Sequence, residues 1–69
     1  MNITLNGAPY EISETAGSIP LNDLLQRLEL AGKPVVIELD ETAIFQRDYT
    51  NTLVSEGSRV EVVALAAGG

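Results

Sequence analysis

One stretch of this sequence repeats its apolar residues at helical spacing: Leu21, Leu24, Leu25 and Leu28, with Asn22, Gln26, Arg27 and Glu29 between them. A single amphipathic helix has one apolar stripe to bury. The segments around it alternate like strands, so the chain is expected to lay one helix across one face of a sheet. The helix should begin at Ser18-Ile19-Pro20, where Ser18 can cap exposed N–H groups and Pro20 is tolerated in the first turn. Asp23 suits the positive end of the helix dipole. Gly32 and Pro34 are expected to end the helix.

Before the helix, Met1-Asn2-Ile3-Thr4-Leu5 alternates apolar and polar residues, the pattern of a strand with one buried face. Asn6-Gly7 follows, a pair that tolerates the positive φ of a tight hairpin turn. Alternation then resumes over residues 8–13, with Tyr10 and Ile12 on one face. Pro9 has no N–H to give a ladder, which assigns this second strand to a sheet edge.

After the helix, Val35-Val36-Ile37-Glu38-Leu39 reads as a β-branched strand with Val35, Ile37 and Leu39 facing one way. Asp40-Glu41-Thr42 is a turn and Ala43-Ile44-Phe45 a short strand. Tyr49 and Leu53 are expected to anchor a short 3₁₀ turn on the core. Ser55-Glu56-Gly57-Ser58 turns into the last strand, where Val60, Val62 and Ala64 point inward and Arg59, Glu61, Val63 and Leu65 outward. The last strand is uniformly apolar on its inner side and is placed centrally, parallel to the first. A right-handed crossover through the helix returns the chain to the same sheet. The expected fold is α+β: a β-grasp, with a mixed sheet of four to five strands packed on one main helix.

Composition narrows the chemistry. At 69 residues the chain is one small domain, and it contains neither cysteine nor histidine. Disulfides are excluded, a metal site is not expected, and the familiar nucleophile–base pairs cannot be assembled. The adjacent carboxylates of Asp40 and Glu41 have no third ligand nearby and fit a turn instead. With 10 Asp+Glu against 4 Lys+Arg, the net charge is -6. Phosphate backbones and anionic membranes would repel it, which argues against nucleic-acid and membrane partners and for a basic protein surface. Neither a secretory leader nor a membrane-length apolar run is seen, and a cytoplasmic location is expected.

Side-chain catalysis is therefore not expected, and the remaining reactive group is the backbone carboxylate at Gly69. Residues 1–65 are read as the folded domain and residues 66–69 as a flexible tail, Ala66-Ala67-Gly68-Gly69. Small residues without obstructing side chains let such a tail thread a narrow active site in a partner. Outward-facing Val63 and Leu65, with Val36 on the neighbouring strand, form the expected partner interface.

The opening Met1-Asn2-Ile3-Thr4-Leu5-Asn6-Gly7, the helix Leu21-Asn22-Asp23-Leu24-Leu25, and Glu56-Gly57-Ser58-Arg59-Val60-Glu61-Val62-Val63 leading to Gly68-Gly69 together carry a resemblance. The chain resembles the ubiquitin-like sulfur carriers of the ThiS/MoaD family, most closely the thiamine-pathway branch. The resemblance implies a protein co-substrate, not an enzyme. A ThiF-like, E1-like adenylyltransferase would use ATP and Mg²⁺ to join AMP to the Gly69 carboxylate, and the chain itself would bind no cofactor. Sulfur from a cysteine desulfurase would then displace AMP to leave a thiocarboxylate, which a ThiG-like thiazole synthase would consume. Two alternatives stand beside this: the small subunit of molybdopterin synthase or another pathway's carrier, and a non-conjugated β-grasp interaction module.

Overall fold

The computed structural model describes residues 1–13 and 16–65. Seven strands occur among them: β1 (Asn2–Leu5), β2 (Ala8–Glu11), β3 (Ser18–Pro20), β4 (Val35–Leu39), β5 (Thr42–Ile44), β6 (Leu53–Ser55) and β7 (Arg59–Ala64). One α-helix, α1 (Leu21–Arg27), follows β3, and a 3₁₀ helix spans Gln46–Asn51. Five strands form a mixed sheet in the order β2-β1-β7-β4-β5, and β3 and β6 form a separate two-stranded ladder. This is the β-grasp expected from the element order. The last strand is central, parallel to β1 and antiparallel to β4.

The opening hairpin forms where Asn6 and Gly7 take φ of 50° and 82°. Asn6 does more than turn the chain. Its backbone N–H donates to Val60 O at 2.9 Å, and its Oδ1 accepts the Val62 N–H at 2.7 Å. The side chain thus continues the β1–β7 ladder past the point where β1 turns away. Asp40 serves the other flank of β7 in the same way, its Oδ1 accepting the Arg59 N–H at 2.9 Å. Pro9 lies in the edge strand β2, where its missing N–H removes no ladder bond from the sheet interior.

The sheet's inner side supplies Ile3, Ile37 and Val60, against which α1 sets Leu21, Leu24 and Leu25, all fully or almost fully buried. Ile12, Ile19 and Val54 complete the core, and Leu28 packs at its margin. Each such side chain contributes about 1.5–3 kcal/mol on burial. Of the inward set expected on β7, Val60 is buried and Val62 partly so, but Ala64 is exposed. The core draws on no residue after Val62 among the described residues, so the sheet outruns its helix at that end.

The entry to the helix differs from expectation. Ser18, Ile19 and Pro20 are strand, paired with Ser55, Val54 and Leu53. Pro20 occupies the N-cap position without a side-chain cap, at φ -61° and ψ 144°. Ser18 therefore caps nothing. Ile19 and Val54 face each other under the helix, and burying both is worth more than one further helical turn would give. Leu53 accordingly belongs to β6 and is exposed, while Tyr49 does pack from the 3₁₀ helix onto the core. The β4–β5 turn is also shorter than expected: Asp40 and Glu41 carry positive φ, and Thr42 is already in strand.

The helix ends before Gly32. Glu29 takes φ 60°, its N–H bonds to Gln26 O, and the Leu30 N–H bonds back to Leu25 O at 2.8 Å. That pair of bonds is a Schellman closure, usually built around glycine. Here a glutamate holds the left-handed position, and its negative charge sits at the unfavourable end of the dipole. Glu29→Gly should therefore raise stability by about 0.5–1 kcal/mol, or roughly 4 °C in Tm, in thermal and urea unfolding. Unchanged or lowered stability would show that the turn carries no strain.

Candidate functional site

Of the three side chains expected to meet a partner, Val36 and Val63 come from two adjacent strands, and Leu65 follows directly after the second. In the antiparallel β4–β7 ladder Val36 pairs with Val63, so both project from the same side of the sheet. That side is opposite the helix, and no described element covers it. Val36 is 40%, Val63 58% and Leu65 51% exposed. Leu65 continues the register by one step, its N–H donating to Pro34 O at 2.9 Å. Val36 and Val63 are thus brought together on the open face, and Leu65 follows at the end of the strand. Leu65 also borders a depression of about 410 Å³ lined by Leu30, Lys33, Gln46 and Tyr49, among others.

The predicted reacting residue, Gly69, and the tail residues Ala66, Ala67 and Gly68 lie outside the described residues. What can be described is their root: the central strand ends at Ala64, and Leu65 leads the chain away beside the exposed Val63 and Val36. Any segment continuing from there starts in the middle of the sheet, next to its most apolar open surface.

Elsewhere several carboxylates bond within the fold. Asp40 accepts a backbone N–H, Glu41 lies 3.7 Å from the Arg59 guanidinium, and Glu56 Oε1 accepts the Asn2 N–H at 2.8 Å. Ser58, the buried polar residue of the last turn, accepts the Ser55 N–H on its hydroxyl at 3.0 Å. Among the described residues no three His, Cys, Asp or Glu side chains are grouped to hold a metal ion. No helix there is long and apolar enough to cross a membrane. One exposed residue was missed in reading the sequence: Phe45, 64% exposed just after β5. The signal was available, since alternation along Ala43, Ile44 and Phe45 turns Phe45 away from the core once Ile44 faces it.

A β-grasp domain with an apolar open face beside its emerging C-terminal segment has the form of a ubiquitin-like protein. The ThiS family model matches residues 3–69 of the chain. The crystal structure of a thiamine biosynthesis protein (ThiS) from Geobacter metallireducens superposes with a TM-score of 0.86 at 31% identity, covering 100% of both chains. A solution structure of a Geobacter metallireducens thiamine biosynthesis protein gives 0.80 at 31% identity, covering 100% of this chain and 88% of that one. An uncharacterized protein, ycf40, of Porphyra purpurea is 28% identical over 69 residues, 100% of this chain and 93% of its own length. The chain belongs to the ThiS family of small ubiquitin-like sulfur carriers.

The geometry separates the faces of β7 sharply. Val63→Ser on the open face should cost less than about 1 kcal/mol in urea unfolding, whereas Val60→Ser, three residues earlier in the core, should cost about 3 kcal/mol. Equal losses would mean that the open face is not free.

Proposed function

We propose that this protein carries sulfur as a thiocarboxylate on Gly69 and delivers it for thiazole formation in thiamine biosynthesis. Residues 1–65 are the handle and residues 66–69 the tail that enters partner active sites. An E1-like adenylyltransferase docks the open face at Val36, Val63 and Leu65 and receives Gly69. The terminal carboxylate attacks the α-phosphorus of ATP, bound with Mg²⁺ by that enzyme, and pyrophosphate leaves. A carboxylate oxygen is a poor leaving group, and the mixed anhydride with AMP converts it into a good one. The outer sulfur of a persulfide formed with a cysteine desulfurase then forms the C–S bond as the bond to AMP breaks, and a thiol cleaves the remaining S–S bond, leaving the Gly69 thiocarboxylate and a disulfide. A thiazole synthase takes the sulfur onward.

The observation that carries this reading is the reach of the family likeness. It extends from residue 3 to Gly69, although the described core is complete by Val62. A likeness that continues past the core is expected where the end of the chain is itself the working part. The thiamine destination is supported by the solved relative, a Geobacter metallireducens thiamine biosynthesis protein determined in both crystal and solution. The chain supplies no catalytic side chain in this scheme; chemistry on the Gly69 carboxylate belongs to the partners.

Removing Gly69 alone tests the division of labour. The shortened chain should bind the purified adenylyltransferase within about twofold of the intact chain. Its carboxylate, withdrawn by roughly 3.5 Å, should form acyl-adenylate at least about 100-fold more slowly. Adenylation at the original rate would remove Gly69 from the mechanism. Loss of binding would show that the body is not the docking element.

A further inference from the structure

The open face carries more than the three apolar side chains named above. In the β4–β5 ladder Ile37 pairs with Ile44 and Glu38 with Ala43. One further step in that register sets Phe45 opposite Val36. Phe45 has extended backbone, φ -75° and ψ 146°, so the alternation holds and its ring stands on the side of Val36. Val63, Val36 and Phe45 therefore make one apolar row across β7, β4 and β5, and the Arg47 guanidinium lies 4.9 Å from the Phe45 ring centroid.

The adjacent row on the same face is Glu61, Glu38 and Ala43. Two carboxylates directly opposite each other across neighbouring strands repel and destabilise the sheet. The ion pairs seen among the described residues are Arg47 with Asp48 and Arg59 with Glu41, and neither involves this pair. A cross-strand pair of carboxylates beside an exposed apolar row, in a chain of net charge -6, is complementary to a cation flanked by apolar surface.

We propose that Glu38 and Glu61 together clamp an arginine or lysine of the activating adenylyltransferase, whose apolar neighbours cover Val63, Val36 and Phe45. The proposal rests on the carrier reading and names the chemistry of the partner at its docking face. A second copy of the chain is the poorer occupant, because face-to-face association would bring together two chains that each carry a net charge of -6. An arginine fits best: its planar guanidinium can donate to both carboxylates while its flat face lies on apolar surface.

The test measures binding of the purified adenylyltransferase to Glu38→Gln, Glu61→Gln, Phe45→Ser and the control Glu11→Gln, at low and high salt. Glu11 pairs with Asn2 at the far edge of the sheet and removes the same charge when substituted. Glu38→Gln and Glu61→Gln should each weaken binding about tenfold at low salt, with the loss shrinking at high salt. Neither should lower Tm, which separates lost recognition from a damaged fold. Phe45→Ser should weaken binding by a similar factor without the salt dependence, and Glu11→Gln by less than about twofold. If Glu38→Gln and Glu61→Gln behave like Glu11→Gln, the clamp is wrong, while adenylate formation by the wild-type chain in the same samples leaves the carrier reading standing. If the wild-type chain forms no adenylate, the carrier reading falls and this proposal with it.

Discussion

The structure depends on the docking of β7 between two hairpins that have no other strand in common. β1–β2 and β4–β5 are each local units, and two-stranded hairpins of this length are marginal in water. They become one sheet when β7 bonds to β1 on one flank and to β4 on the other. Val60, completely buried, then closes the apolar layer beneath α1. Asn6 and Asp40 hold the two flanks with side-chain acceptors for Val62 and Arg59 N–H groups. The pairing of β1 with β7 joins residues more than fifty positions apart, so its loop-closure cost must be offset by that burial and by the ladder bonds.

The same placement links fold to function. A chain whose last strand is central must leave its sheet from the middle. The segment after Leu65 therefore begins beside the open face, with Val36 and Val63 in register next to it. A partner that grips this face holds the root of the tail at a fixed position, and only a few small residues separate that root from Gly69. In the proposed mechanism, docking and delivery would both be set by that one strand. The acidic surface reinforces it, since a net charge of -6 favours encounter with basic protein surfaces and disfavours nucleic acid.

Most of the sheet was legible in the sequence because its signals are local. The alternation of residues 1–5, the Asn6-Gly7 pair, Pro9 at an edge and the β-branched run Val35-Val36-Ile37 each state their role within a few residues. The helix was legible by its leucine spacing but not by its ends. Ser18 and Pro20 look like a helix start, and only the distant partners Ser55 and Leu53 reveal that they are strand. At the other end, Glu29 holds a left-handed conformation that glycine would ordinarily advertise. At the candidate site, the outward position of Val36 and Val63 follows from alternation alone. The pairing of Glu38 with Glu61 does not, because register between strands twenty residues apart is a property of the assembled sheet. Ala64 shows the converse: alternation gives the side of the sheet correctly but not how far the helix extends over it.

The proposed role of the backbone carboxyl group can be tested directly by intact-mass spectrometry with C-terminal fragmentation, after incubation with purified adenylyltransferase, ATP, Mg²⁺, a thiol reductant and a desulfurase supplied with cysteine. The predicted result is a gain equal to the mass difference between sulfur and oxygen, confined to the fragment containing Gly69 and absent when ATP is omitted. An unchanged mass under conditions that convert an authentic ThiS, or sulfur found anywhere but on Gly69, would contradict it.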